Sequence, residues 1–268
     1  MSQQLTFGYS PCPNDTFMFN ALAEGTVEVA GCSLKPVLHD IETLNALAVD
    51  EAMDISKLSF YAWMANQDRY QLLSNGAAMG FGCGPVLIAK KTLAVEDIDD
   101  CRVVLPGRWT TAHLLFRLWA PRAHQREFVT YDQIVEVLAS GRADCGVIIH
   151  ESRFTFEKAG FKTVVDLGAW WEKQTGLPIP LGCIAARKTM GQKMIERVDT
   201  AIHRSIRRAM EDPDRALPYI RKHAQEIDDG VLQTHIRTFV NEFSLGLPRE
   251  GYQAIDTLET MARSAGVL

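Results

Sequence analysis

Short apolar runs alternate with amphipathic segments along most of the chain, and turns containing Gly, Ser or Asp separate them. Apolar runs of this length predict strands, and apolar positions at helical spacing between them predict helices. The predicted strands are residues 5–9, 34–39, 54–58, 70–74, 86–89, 102–105, 127–130, 147–149, 164–167 and 181–186. A strand–turn–helix order that recurs in this way indicates an α/β fold and favours mainly parallel sheets.

Two apolar passages, residues 85–89 and 181–186, join two series of predicted strands. They suggest two α/β lobes that the chain crosses twice. The larger lobe is predicted to comprise residues 1–88 plus 183–268, and the smaller lobe residues 89–182. The cleft between two such lobes is the usual place for a small ligand, and the carboxyl ends of parallel strands line it. The pattern alone leaves a single continuous sheet as the alternative.

The charge balance bears on the kind of partner. The chain has 268 residues, 47% of them hydrophobic, and a formal net charge of -5. An acidic total argues against nucleic-acid binding, which normally needs a basic face. The densest basic cluster, Arg204, Arg207 and Arg208, lies on a helical pattern, so a solvated helix face is favoured over a phosphate-binding patch. A small-molecule partner is therefore expected.

The six cysteines give little support to a metal or iron–sulfur site, because no two of them form a C-x-x-C pair. The N-terminal segment lacks the basic and long apolar regions of a secretory signal, and no apolar stretch is long enough to span a bilayer. We therefore expect a cytoplasmic protein with reduced thiols and no membrane segment. The cysteines are Cys12, Cys32, Cys83, Cys101, Cys145 and Cys183.

Glycines are concentrated between Gly76 and Gly84, but no helix is predicted after them. A phosphate-binding loop needs that helix, so the stretch is interpreted as a hinge or a close approach of backbones. No serine elbow or dinucleotide fingerprint is present either. No cofactor is predicted.

The turn after the first strand carries three short polar side chains, Ser10, Asn14 and Thr16, and a helix is expected to begin near Asp15 or Thr16. Free N–H groups at a helix start attract anions, and these side chains would add donors. The alternative is helix capping, with prolines setting the turn, and spacing alone favours capping. The three residues remain candidate substrate contacts.

Two further strand-to-helix turns have similar geometry. Lys57 and Ser59 stand at a strand end and a helix start, where a substrate oxygen could be held; a solvated lysine beside an N-cap serine is an equal alternative. Thr110 and Thr111 begin another helix and offer hydroxyl and N–H groups that suit a carboxylate. One threonine is needed to cap the helix, so only the other would be available to bind a substrate.

His150 directly follows the apolar strand 147–149, so its side chain is predicted to emerge at the carboxyl edge of the sheet. Histidine has the unperturbed pKa best suited to proton transfer near neutral pH. A single histidine in such a position is nevertheless more often structural than catalytic. The others are interpreted as surface or packing residues: His39, His113, His124, His203, His223 and His235.

Several motifs together resemble one family, the 1,4-dihydroxy-6-naphthoate synthases of futalosine-dependent menaquinone biosynthesis. They are SPCPNDTF (10–17), KLSF (57–60), LPGRWTTA (105–112), GVIIHESRFTF (146–156), TGLPIPLG (175–182) and VNEFSL (240–245). The first and fourth are long enough to be specific, and the set spans nearly the whole chain. Trp109 departs from the pattern, where a tyrosine is expected.

The resemblance implies a two-lobed fold like the type II periplasmic binding proteins, used by a lyase. It implies cyclic dehypoxanthinyl futalosine as substrate and 1,4-dihydroxy-6-naphthoate as product, without a metal or cofactor; self-association into a homo-oligomer is left open. The proposed proton acceptor of the family falls on His150. The substrate contacts of the family fall on Lys57, Leu58, Ser59, Thr110 and Thr111.

Two other functional classes are alternatives. A binding protein of the same fold would need no base, but it would normally carry a secretory signal. A chorismate dehydratase, the sister enzyme on the same pathway, would share the fold, but the SPCPNDTF motif favours the synthase.

Overall fold

The computed structural model describes residues 3–224 and 228–268. Residues 1–2 and 225–227, which the predicted larger lobe includes, lie outside the described residues. The strands are β1 (Gln3–Tyr9), β2 (Cys32–Leu38), β3 (Ile55–Ser59), β4 (Tyr70–Leu72), β5 (Ala78–Gly80), β6 (Val86–Ala89), β7 (Val103–Leu105), β8 (Arg126–Phe128), β9 (Cys145–Ile148), β10 (Lys162–Asp166) and β11 (Ile179–Arg187).

The helices follow the strands in the first two thirds of the chain and dominate the last third. They are α1 (Pro13–Ala23), α2 (Ile41–Val49), α3 (Phe60–Met64), α4 (Thr111–Trp119), α5 (Ile134–Ala139), α6 (Ser152–Thr155), α7 (Leu167–Thr175), α8 (Gln192–Glu211), α9 (Leu217–His223), α10 (Asp229–Phe239) and α11 (Arg249–Ser264). Short 3₁₀ segments lie at Val95–Asp100, Tyr131–Gln133, Lys188–Met190, Pro213–Arg215 and Glu242–Leu245. None of the described helices is long and apolar enough to cross a membrane.

The strands form two separate sheets, which excludes a single continuous sheet for the described residues. The first sheet has the order β2-β1-β3-β11-β4, with β5 also paired to β11. The second has the order β10-β6-β9-β7-β8. The predicted lobe boundaries, 88/89 and 182/183, run through β6 and β11, which belong to the second and first sheet respectively. The exact division into lobes stays a prediction.

The prediction of mainly parallel sheets is wrong, because both sheets are mixed. β1 runs parallel to β2 and β3, and β7 runs parallel to β8 and β9. The two crossing strands run the other way: β11 is antiparallel to β3, β4 and β5, and β6 is antiparallel to β9 and β10. The apolar passages that indicated the crossings are thus the strands that break the parallel order.

The glycine-rich stretch is partly a strand and partly a close backbone approach. Ala78–Gly80 pairs with β11, which the sequence did not predict. A Cβ atom on Gly84 would lie 2.3 Å from the Cα of Gly168, so neither glycine can carry a side chain without moving the backbone. The interpretation of this stretch as a close approach is confirmed at Gly84.

Apolar side chains from both sheets pack into one large cluster. It includes Leu58 and Ile179 of the first sheet and Leu87 and Leu105 of the second. A second cluster lies beneath the first sheet, where α1 packs against α8, α9 and α10. The amphipathic pattern of α8 predicts this burial, because its apolar face is the face that is covered.

Candidate active site

A cleft opens between the two sheets and encloses about 690 Å³ of space between protein atoms, part of it open to solvent. One wall includes Ser10, Asn14 and Asp15 after β1. Lys57 and Ser59 come from β3, and the wall from the other sheet includes Thr110, Thr111, His150 and Arg153. Most of the predicted site residues thus meet at one cleft, because they end strands or begin helices that face it.

Asp15 organises the first wall through four polar contacts. Its carboxylate accepts hydrogen bonds from the Ser10 amide (3.0 Å), the Ser10 hydroxyl (2.7 Å) and the Asn14 side-chain amide (2.9 Å). It also forms an ion pair with Lys57, at 3.0 Å from Nζ. Both charged side chains are almost completely buried, so each depends on the other for compensation. The sequence marked Asp15 only as a helix start and missed this role.

The alternative for Lys57 and Ser59, a solvated lysine beside an N-cap serine, does not hold in the structure. Lys57 is buried and ion-paired, so the reading of a solvated lysine is wrong. Ser59 is the residue before α3, but its side chain makes no capping bond. Its hydroxyl accepts instead from Asn45 Nδ2 at 3.1 Å. Leu58 packs in the apolar core between them and does not line the cleft.

Thr110 and Thr111 line the cleft, but both hydroxyls have protein partners. Thr110 caps α4 by accepting from His113 N, and it donates to Gly107 O at 3.1 Å. Thr111 donates to Leu181 O at 2.7 Å. The cap predicted for one threonine is confirmed at Thr110, and the second hydroxyl also holds two chain segments together.

The three candidates near α1 separate into two groups. Ser10 and Asn14 line the cleft. Thr16 is fully buried, and its hydroxyl donates to Cys12 O, at the residue before its own helix, at 3.0 Å. Thr16 therefore lies away from the cleft. The helix begins at Pro13, two residues earlier than the earliest predicted start, because proline is well tolerated in the first turn of a helix.

Glu42 binds the backbone of the turn just before Thr110 and Thr111, whose own N–H groups were the ones suggested for a substrate carboxylate. Its Oε1 accepts from the Arg108 amide at 2.6 Å, and its Oε2 accepts from the Trp109 amide at 3.1 Å. Burial raises the pKa of Glu42, and these amides oppose that shift. Glu42 comes from α2, which lies beside β3, so its contacts join the two sides of the cleft.

His150 stands in a turn after β9, which ends one residue earlier than predicted. Its φ of 57° is in the left-handed region, which few residues other than glycine adopt. Its Nδ1 lies 3.6 Å from the thiol sulfur of Cys12. Burial lowers the pKa of His150, against the opposing effect of the Glu151 carboxylate. A lowered pKa favours the neutral imidazole, the form that accepts a proton.

His235 is the main residue of this region that the sequence missed, since it was interpreted as a surface or packing residue. It is fully buried, and its ring is stacked on that of His150 with centroids 6.1 Å apart. Asn14 Nδ2 donates to Asp15, so Asn14 Oδ1 accepts from His235 Nε2 at 2.9 Å. The helical spacing of Leu232, His235 and Phe239 was the available signal that this face of α10 is buried.

The second ring nitrogen of His235 has no hydrogen-bond partner. This Nδ1 is buried and lies 3.9 Å from the carboxylate of Glu151. Burial lowers the pKa of His235 well below its ordinary value, and the charges of His150 and Lys57 lower it further. Nε2 carries the proton toward Asn14, so Nδ1 presents a lone pair toward Glu151.

One group of potential metal ligands occurs among the described residues, formed by Cys12, His150 and Glu151. One ligand atom from each lies within 4.8 Å of the others. This group was not predictable from the sequence, because Cys12 is far from the other two residues along the chain and no C-x-x-C pair is present.

Comparison with known proteins places the chain in a family. The family model described as menaquinone biosynthesis matches residues 5–264. A 1,4-dihydroxy-6-naphtoate synthase of Thermus thermophilus is 45% identical over 99% of this chain and 96% of the relative. A synthase of the same name from Streptomyces coelicolor is 39% identical over 98% of this chain and 94% of the relative. The chain belongs to the menaquinone-biosynthesis family.

Within that family, both relatives are named as enzymes, and the chain is likewise an enzyme of menaquinone biosynthesis. Protein AF1704 of Archaeoglobus fulgidus has a similar structure, with a TM-score of 0.93, 32% identity, and coverage of 99% of this chain and 98% of that one. The alkanesulfonate-binding protein SsuA of Xanthomonas axonopodis gives a TM-score of 0.71 at 16% identity, covering 99% and 94%. The fold is therefore that of the periplasmic binding proteins, as the resemblance implied.

Proposed function

We propose that the chain is a carbon–carbon lyase that converts cyclic dehypoxanthinyl futalosine to 1,4-dihydroxy-6-naphthoate, with His150 as the proton acceptor. The similarity to two synthases over nearly their whole length supports the reaction. The observation that carries the mechanism is the position of His150 in the cleft wall, in a left-handed turn, with burial favouring its neutral form. We further propose that the enzyme acts in the cytoplasm on this small molecule alone.

The chemistry requires a base and donors for a developing oxyanion. The substrate loses its sugar-derived fragment by cleavage of a C–C bond, and formation of a second aromatic ring favours the product. His150 accepts a hydroxyl or carbon proton of the substrate. Lys57 carries three donors, of which contacts to Asp15 and Gly76 O use two, so one remains for a substrate oxygen. Ser59 is a second donor in the same wall.

A turnover assay tests this proposal. The purified protein is incubated separately with cyclic dehypoxanthinyl futalosine and with chorismate, and products are separated by chromatography. Formation of 1,4-dihydroxy-6-naphthoate is expected with the first compound only. Conversion of chorismate instead would assign the chain to the dehydratase class. Tight binding of the first compound without turnover would assign it to the binding proteins.

Treatment with EDTA, followed by removal of the chelator, is expected to leave the turnover rate unchanged or higher. The proposed base and donors are supplied by His150, Lys57 and Ser59, so no step depends on a metal. The rate is measured before and after treatment, and metal content is checked by elemental analysis. A loss of activity that a divalent ion restores would contradict the prediction.

Ser59→Ala is expected to weaken substrate binding by about 1.5–3 kcal/mol, roughly 10–150-fold in Kd, if its hydroxyl donates to a charged oxygen. The fold should be retained, because the Ser59 amide keeps its bond to Asn45 Oδ1, and the loss of the bond from Asn45 Nδ2 to the hydroxyl should lower stability only modestly. Calorimetric titration with substrate or product measures Kd. Thr111→Val should weaken binding too, but it also loses a bond to Leu181 O and is expected to lower stability.

Ser205→Ala is the matched control for Ser59→Ala. Ser205 is a buried serine of α8 that donates to Met18 O at 2.7 Å, outside the cleft. Its replacement should lower stability without changing Kd. If Ser59→Ala behaves in the same way as this control, Ser59 has only a structural role.

A further inference from the structure

The two sides of the cleft bring a thiol, an imidazole and a carboxylate together. Cys12 is the residue before α1, whereas His150 and Glu151 follow β9 in the other sheet. The Cys12 sulfur lies 3.6 Å from His150 Nδ1, and one ligand atom of each residue lies within 4.8 Å of the others. The cysteine is buried, and the Glu151 side chain is only 12% exposed.

The distance between sulfur and nitrogen matches a tetrahedral zinc site. Zinc binds thiolate sulfur at about 2.3 Å and imidazole nitrogen at about 2.0–2.1 Å. With a tetrahedral angle between them, these bond lengths place the two ligand atoms about 3.6 Å apart. The observed separation of Cys12 Sγ and His150 Nδ1 therefore fits two ligands of one zinc ion, and the Glu151 carboxylate lies close enough to close on it as the third.

A second observation near this cluster also indicates a cation. His235 Nδ1 is buried, carries a lone pair and has no hydrogen-bond partner. It lies 3.9 Å from Glu151 Oε1, and with the ring proton on Nε2 toward Asn14, two acceptors face each other here. A buried arrangement of this kind is unfavourable. A cation held by the Glu151 carboxylate would offset the negative charge that His235 faces.

We propose that Cys12, His150 and Glu151 form a binding site for Zn²⁺ that holds the two sides of the cleft together. A soft thiolate with an imidazole selects zinc over magnesium or calcium, which prefer oxygen ligands. Binding releases the thiol proton of Cys12. Three protein ligands leave a fourth position for water or a substrate oxygen.

Bound zinc inhibits the enzyme. The ion occupies Nδ1 of His150, fixes the ring and restrains the opening of the cleft. This consequence rests on the proposed function, in which His150 accepts the proton. The metal site itself does not, since it follows from the positions of its three ligands.

Titration of the chelator-treated protein with Co²⁺ tests the site without substrate. Cobalt occupies zinc sites and gives a near-ultraviolet charge-transfer band when a thiolate binds it. The band is expected to saturate at one equivalent, to disappear on addition of Zn²⁺, and to be absent in Cys12→Ser. Cys32→Ser is the matched control and should keep the band, because this partly exposed cysteine lies in β2, away from the cluster.

Glu151→Gln covers the case in which Cys12→Ser does not fold, since Glu151 lies in a turn. The Glu151→Gln variant should keep the band, because the thiolate is still present, but should bind cobalt about 10–100-fold more weakly. Mutation of a residue that only hydrogen-bonds to a metal ligand already has an effect of this size. No band in folded wild-type protein, a band that survives Cys12→Ser, or unchanged affinity in Glu151→Gln would overturn the site. Zinc binding without loss of turnover would overturn the inhibitory role alone.

Discussion

Replacement of His150 by asparagine is expected to lower kcat about 10²–10⁴-fold while substrate still binds. Asparagine removes the imidazole but tolerates the left-handed backbone that His150 adopts, so strain is not added. Binding should persist because Lys57, Ser59 and Thr110 remain in the cleft walls. The measurement is single-turnover and steady-state kinetics in the presence of EDTA, with Kd determined separately.

His203→Asn is the matched control for this experiment. His203 lies on α8, outside the residues that line the cleft, and its Nδ1 contacts Asn75 Oδ1 at 2.9 Å. The control should retain wild-type kcat. His150→Ala adds a second comparison, because alanine tolerates the left-handed backbone less well than asparagine. A folded His150→Asn enzyme with near-normal kcat would remove His150 from the mechanism.

Asp15→Asn and Lys57→Met are each expected to destabilise the protein by about 3–5 kcal/mol, because each leaves a buried charge without its partner. The side chains are only 1% and 6% exposed, and their charged atoms are 3.0 Å apart. In Lys57→Met, the Ser10 and Asn14 donors still compensate Asp15 in part. Urea denaturation with a shared m-value measures the change in the free energy of unfolding.

The double variant distinguishes loss of the ion pair from two independent effects. Removal of both charges should cost clearly less than the sum of the single variants, since neither charge is then left alone. The exposed pair of Arg207 and Glu211 on α8 is the control, and its loss should cost only about 0.3–0.5 kcal/mol. Additive effects at Asp15 and Lys57, each below the range expected, would show that the pair does not stabilise the fold.

Local patterns predicted the parts of the site that depend on neighbouring residues in the chain. The strand ends near Ser10, Ser59 and His150 were predictable, because an apolar run followed by a polar turn marks the edge of a sheet. The cap at Thr110 was predictable for the same reason. These features need only a few consecutive residues, and the structure brings them to one cleft.

The features that the sequence could not predict are contacts between distant segments. Asp15 meets Lys57, Glu42 meets the turn at Arg108, and Cys12 meets His150. Asp15 and Lys57 meet because β1 and β3 are neighbours in the first sheet, whereas the other two pairs join the two sheets and depend on the crossings between them. The sequence also did not predict that β6 and β11 are antiparallel to their neighbours. A fully buried apolar run looks the same whether the strand pairs in parallel or antiparallel.

The apolar cluster shared by both sheets has a thermodynamic consequence. Leu58 and Ile179 pack in the same cluster as Leu87 and Leu105, so the melting of one sheet would strip apolar contacts from the other. Heat denaturation should therefore be cooperative across both lobes, with one calorimetric peak. For the same reason, the second sheet and its helices are not expected to fold on their own: severed from the rest of the chain, they would present a broad apolar surface to water and should aggregate.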